Sequence, residues 1–211
     1  MKRIMIITGG TLGDWVLSEI ETDDILVGSD RGALFLIQHG YKPHISMGDF
    51  DSVTPGELEQ IRSASHDFID CDPIYKDLTD TEMAFNWALA QQPDQILIVG
   101  ALGTRFDHSL ANVHLLRKGL AQGVPCAIMD AHNHIMTIEQ STRVRRGPYT
   151  HISLLPLSLE VTGITLYGFQ YPLRQATLTI GQSLGISNIL LEPEGLIELS
   201  SGLLLVIQSK D

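Results

Sequence analysis

The sequence predicts an N-terminal α/β domain built on a Rossmann-like parallel sheet, followed by a C-terminal all-β sandwich. Three observations carry that expectation. Short apolar runs alternate with helical patterns through residues 1–130, as βαβ units feeding a parallel sheet do. Helical periodicity is scarce beyond that point. From His134 onward come short apolar runs punctuated by turn residues, the pattern of a sandwich or partial barrel. The domains are therefore expected at residues 1–130 and 131–211, with residues 130–133 as the junction.

The first strand is Ile4-Met5-Ile6-Ile7, which Thr8-Gly9-Gly10 cuts too short for the apolar core of a signal peptide. Strands are next expected at residues 25–29, 45–47, 68–70 and 96–100, and helices at 31–39, 55–63, 81–91 and 110–121. Thr79-Asp80-Thr81-Glu82 has the form of a helix capping box, with Met83, Trp87 and Ala90 following at helical spacing. In the second half, strands are expected at 135–138, 151–155, 165–169, 176–180, 189–191, 196–199 and 203–208. Ser200-Ser201-Gly202 reads as a hairpin turn between the last two.

The second to fifth strand-like runs of the first half each lead into an acidic loop. Asp30 follows the second strand, Asp49 and Asp51 the third, Asp77 and Asp80 the fourth, and Asp107 the fifth. In an open parallel sheet, loops leaving the carboxyl ends of strands share one edge, where ligands bind. Asp49-Phe50-Asp51 is the most informative stretch, because carboxylates one residue apart converge on a hard cation when the chain turns, and Gly48 supplies turn chemistry. Alone, that motif is weak and reads first as an Asx-turn on a solvated loop. Its company favours a site.

Gly100-Ala101-Leu102-Gly103-Thr104-Arg105 combines a flexible strand exit with a guanidinium able to grip phosphate, although a surface ion pair beside a tight turn is the plainer reading. Lys76 is a phosphate contact or a solvated lysine. Neither a P-loop nor Gly-x-Gly-x-x-Gly occurs. His132-Asn133-His134 lacks further ligands nearby and reads as a junction loop, while Arg143, Arg145 and Arg146 read as one face of an exposed strand. The formal net charge of −11 argues against a nucleic-acid partner and suits a cationic substrate, or an anionic one carried by magnesium. Two cysteines give neither a disulfide framework nor a metal spacing, and no apolar stretch approaches a membrane span, so a cytoplasmic chain is expected.

The chain resembles the thiamine pyrophosphokinase family, particularly its bacterial members, over nearly its whole length. The resemblance rests on Ser29-Asp30-Arg31-Gly32-Ala33, Gly48-Asp49-Phe50-Asp51-Ser52, Lys76-Asp77-Leu78-Thr79-Asp80-Thr81-Glu82 and Gly103-Thr104-Arg105-Phe106-Asp107-His108-Ser109-Leu110-Ala111-Asn112. It continues through Ile152-Ser153-Leu154-Leu155-Pro156, Gly168-Phe169-Gln170-Tyr171-Pro172-Leu173 and Gly185-Ile186-Ser187-Asn188. It implies transfer of a diphosphoryl group from ATP to the thiamine hydroxyl, giving thiamine diphosphate and AMP. By the same resemblance, residues 1–130 form the ATP- and Mg²⁺-binding catalytic domain, and residues 131–211 bind thiamine and join a homodimer. It assigns Asp49, Asp51 and Asp80 to Mg²⁺, and Lys76, Asp77 and Arg105 to ATP. Asp30 and Asp107 would face thiamine, with Asp107 counted among the catalytic carboxylates. Ser187 and Asn188 would hold thiamine from the partner subunit.

Departures from the family pattern lie mainly in the second half. His44 in the first half and Ile189 in the second stand where the family commonly carries acidic or polar residues, and because the β domain has no tryptophan any aromatic stacking falls to Tyr149, Tyr167, Phe169, Tyr171 or a residue elsewhere. A metal-dependent hydrolase using the same acidic cluster, and a non-catalytic thiamine-binding module, are the rival readings. The second would be expected to lack the metal carboxylates, which are all present.

Overall fold

The computed structural model describes residues 1–71 and 77–211, and the chain divides into two compact units, Met1–Ala131 and His132–Asp211. In the first unit the elements run β1 (Arg3–Ile7), α1 (Trp15–Glu19), β2 (Ile25–Ser29), α2 (Arg31–Gln38), β3 (Ile45–Gly48) and α3 (Pro55–Ala64). They continue with β4 (Asp67–Asp70), α4 (Asp80–Ala90), β5 (Gln95–Val99), α5 (Phe106–Ala121) and β6 (Cys126–Met129). The strands lie in the order β4-β3-β2-β1-β5-β6, every pair parallel. Chain order runs one way from β1 to β4 and then the other way from β5, so the sheet has its switch point between β1 and β5.

The central strands β1 and β5 are buried on both faces, as a parallel sheet covered by helices requires. Met5, Ile7, Leu36, Leu97 and Val99 belong to one core cluster, and Ala33, Leu34, Phe50 and Ile61 to another. At the margin β4 pairs with β3 alone among the described residues, and Asp67 and Asp70 at its ends are exposed.

Two helix starts differ from expectation. The α5 helix begins at Phe106 rather than residue 110, because Phe106 points into solvent and contributes nothing to the apolar periodicity. The capping box expected at α4 is half made. The Thr79 hydroxyl accepts from the Glu82 N–H at 3.2 Å, but the Glu82 carboxylate pairs with Lys118 of α5 instead of reaching back. A complete box closes α3, where Thr54 and Glu57 cap each other reciprocally.

The second unit contains β7 (Asn133–Ile138), β8 (Thr142–Arg145), β9 (His151–Pro156), β10 (Glu160–Tyr167), β11 (Ala176–Thr179), β12 (Glu194–Glu198) and β13 (Leu204–Ser209). They form two antiparallel arrays, β7-β13-β9 and β11-β10-β12-β8, whose inward residues share one core that includes Ile152, Leu154, Ile164, Ile197 and Val206. Residues 200–202 are not a hairpin turn. β12 pairs with β10 and β8, whereas β13 pairs with β7 and β9, so this segment carries the chain from one array to the other. Residues 189–191 form no strand and contribute an isolated bridge, Phe169 to Leu190. Arg143 and Arg145 share an exposed face, but Arg146 has turned so that its guanidinium donates to the Leu190 carbonyl. No described helix is long and apolar enough to cross a membrane.

Candidate active site

The carboxyl ends of β1, β2, β3 and β5 open onto one cleft of about 610 Å³, placed over the switch point. Beyond their last residues the β1 and β5 exits stay joined, since Gly10 N–H donates to the Gly100 carbonyl and Thr11 N–H to that of Leu102, both at 2.8 Å. Asp30, Asp49, Asp51, Asp77, Asp80 and Arg105 all line this cleft. The acidic loops therefore converge, for the reason that parallel topology gives. Lys76 lies outside the described residues.

Asp30, Asp49 and Asp51 come closest, with one carboxylate oxygen of each lying within 4.8 Å of the others. Asp80 approaches from the first turn of α4, and Gly48 makes room for it. A Cβ on Gly48 would stand 3.4 Å from Asp80 Oδ1, and its φ of +152° also excludes most side chains.

Asp30 occupies the junction of β2 and α2 with φ +54° and ψ −122°, a backbone region that aspartate rarely adopts. Its N–H donates to the Met47 carbonyl, and Oδ2 accepts from the Ser52 hydroxyl at 2.6 Å. Oδ1 is buried and has no hydrogen-bond partner among the described residues. Burial raises the Asp30 pKa above the usual carboxylate range. The Ser52 hydrogen bond opposes that rise, and the charges of Asp80, Asp51 and Asp49 add to it. A buried acceptor without a donor, facing other carboxylates, is what a cation-binding site presents before its cation arrives. The all-oxygen donor set suits a hard divalent ion.

Arg105 stands at the start of α5, where its guanidinium holds Asp107 by two hydrogen bonds of 2.7 and 3.3 Å. Arg105 holds the Asp107 carboxyl below its usual range. Arg105 lines the cleft while Asp107 does not, and both are exposed. The ion-pair reading of this arginine thus holds in the ligand-free chain, without removing the guanidinium from the cleft.

Ser187 and Asn188 belong to the second unit. Ser187 is exposed, with φ +57°. Asn188 is buried, and its amide is occupied locally. Oδ1 accepts from the Tyr171 and Ile189 N–H groups, and Nδ2 donates to the Tyr171 carbonyl at 2.7 Å. Tyr171 itself is 57% exposed. Sequence reasoning passed over several lining residues. Ser29 and Ser52 flank the acidic pairs, and the Ser29 hydroxyl is fully buried without a partner among the described residues. Thr8 and Thr81 share a buried hydrogen bond of 2.9 Å across the cleft floor. Adjacency to the aspartates was a signal for the serines, whereas nothing local marks the Thr8–Thr81 pair.

Residues 16–128 match the family described as thiamin pyrophosphokinase, catalytic domain, and residues 133–204 match its vitamin B1 binding domain. A thiamine pyrophosphokinase from Bacillus subtilis (strain 168) is 35% identical, with both chains covered completely. A crystal structure of the Bacillus subtilis thiamine pyrophosphokinase superposes with a TM-score of 0.92 at 34% identity, again over the full length of both chains. That of a Geobacillus thermodenitrificans thiamin pyrophosphokinase gives 0.90 at 33% identity, covering 99% of this chain and 98% of that one.

Proposed function

Because the chain belongs to the thiamin pyrophosphokinase family, we infer that it transfers the diphosphoryl group of ATP to the thiamine hydroxyl, giving thiamine diphosphate and AMP. It is an ATP:thiamine diphosphotransferase. The observation that carries the chemistry is the convergence of Asp30, Asp49, Asp51 and Asp80 with Arg105 on one cleft. Transfer of this kind needs positioning and charge neutralisation more than covalent help from the protein.

We propose Asp49, Asp51 and Asp80 as the Mg²⁺ carboxylates, with Asp30 Oδ1 beside them. When bound, the cation would neutralise phosphate charge in a cleft that is otherwise acidic. Arg105 holds the ATP phosphates with its planar fork, Asp77 serves ATP from the same cleft, and Lys76, outside the described residues, is proposed as a further phosphate contact. Once Arg105 turns to phosphate, Asp107 loses the partner that depresses its pKa and becomes a better proton acceptor for the thiamine hydroxyl. Asp30 faces thiamine on its other side, where the acidic surroundings suit the positive thiazolium ring.

The first unit is Rossmann-like and the second a sandwich that binds thiamine and joins a homodimer. The exposed Leu159, Ile180, Leu184 and Leu191 motivate the dimer, since apolar side chains in such number call for cover. Ser187 reaches thiamine from the partner subunit, and Asn188 serves the site by pinning Tyr171.

Incubating the chain with ATP, Mg²⁺ and thiamine tests the activity, and AMP release must depend on thiamine. AMP formed equally without thiamine would instead indicate a hydrolase. For the shared site, Asp51→Asn is mixed with a Ser187→Ala, Asn188→Ala chain. A verified heterodimer that regains no activity, with both folded parents inactive, overturns it.

A further inference from the structure

We infer that Ser52 is a positioning residue that holds the Asp30 carboxylate for the cation. This inference rests on reading the cleft as a divalent-metal site. The Ser52 hydroxyl donates to Asp30 Oδ2 at 2.6 Å, within the range of strong hydrogen bonds to ionised oxygens. Ser52 follows Asp51 directly, so this bond ties the loop after β3 to the loop after β2 across 22 positions of sequence. It occupies Oδ2 and leaves Oδ1 as the buried oxygen without a partner among the described residues. The carboxylates it serves are crowded, since oxygens of Asp30, Asp49 and Asp51 lie within 4.8 Å of one another. Without the hydroxyl, Asp30 is free to rotate away from its like-charged neighbours, and the close grouping of the three carboxylates is lost. Groups that orient metal ligands from behind typically carry about 10–100-fold in metal affinity or activity.

The probe is Mn²⁺, titrated by EPR into the full chain with and without a non-hydrolysable ATP analogue. Ser52→Ala should weaken Mn²⁺ binding about 10–100-fold and raise the Mg²⁺ concentration needed for half-maximal turnover. Ser52→Thr keeps the hydroxyl and should bind close to wild type. In an Asp30→Asn background, Ser52→Ala should cost little more, because its effect passes through Asp30. Unchanged Mn²⁺ affinity in Ser52→Ala overturns the inference, as does an undiminished loss in the Asp30→Asn background. A Ser52→Ala chain that fails to fold also overturns it, since an exposed hydroxyl acting only on Asp30 is not needed for folding. Failure of the wild-type chain to bind Mn²⁺ under both conditions would instead remove the metal-site reading on which Ser52 depends.

Discussion

Gly32 lies so close to the end of β1 that a Cβ on it would stand 1.9 Å from the Ile7 carbonyl oxygen. This contact seats the first turn of α2 directly on the sheet edge. The same turn begins at Asp30, so the approach of two backbones decides where that carboxylate sits.

Gly32→Ala should therefore be severe for so small a change. The atom it meets is backbone, which cannot swing aside, so α2 must move off the sheet. The expected loss is about 1–3 kcal/mol, as for an overpacked core. Urea denaturation measures it. Activity should fall further than stability, because Asp30 moves with the helix, and a variant of wild-type stability would show that α2 shifts freely.

Asp51→Asn and Asp80→Asn should leave the fold intact and remove most turnover. An amide keeps the shape but brings no negative charge to the cation. Groups behind the ligands carry about 10–100-fold, so loss of a ligand should reach at least the upper end of that range. Near-normal turnover at low Mg²⁺ in either variant would remove that residue from the metal set.

Arg105→Lys conserves charge but loses the fork. One of two parallel charge-assisted hydrogen bonds to phosphate disappears, for an expected loss of about 10–100-fold in kcat/KM for ATP. Thiamine binding should change less. The variant also grips Asp107 more weakly, so the carboxyl of Asp107 should titrate closer to its usual range in the ligand-free chain. Unchanged ATP kinetics would leave Arg105 with its ion pair as its whole role.

His134 in β7 supplies a pH dependence. Its Nδ1 is buried without a hydrogen-bond partner among the described residues, and burial lowers its pKa. The unfolded chain takes up a proton near pH 6.5, while the folded chain resists protonation until lower pH. Stability from this group is therefore complete above about pH 6.5 and is lost as pH falls below that value toward the lower folded pKa. Urea midpoints at pH 7.5 and 5.5 should differ less in His134→Gln than in the wild-type chain. An equal difference would show that other groups set the acid slope.

Much of the site was legible because strand exits in a parallel sheet share one edge. Reading the acidic loops in order was enough to gather Asp30, Asp49, Asp51 and Asp80 in one cleft. What was not legible depends on partners far along the chain. Glu82 looked like half of a capping box, but Lys118 competes for it from 36 residues away. Residues 200–202 have hairpin chemistry, yet local turn preference does not tell which sheet the next strand will join. Asn188 sits beside residues of the thiamine motif, but its amide is bound to the Tyr171 backbone 17 positions away. Periodicity found α2 to α5 but not the five-residue α1, and it missed the first turn of α5, where Phe106 faces water.

The β4 strand leaves one edge of its sheet open among the described residues. Such an edge can template the growth of fibrils from neighbouring chains. Asp67 and Asp70 mark its two ends, with partly exposed Ile69 between them. A second β4 added in parallel register would set Asp67 against Asp67. In antiparallel register it would set Asp67 against Asp70. Both arrangements force carboxylates together across the new pair. Four residues thus disfavour edge-to-edge growth at an open margin of the sheet that carries the acidic loops.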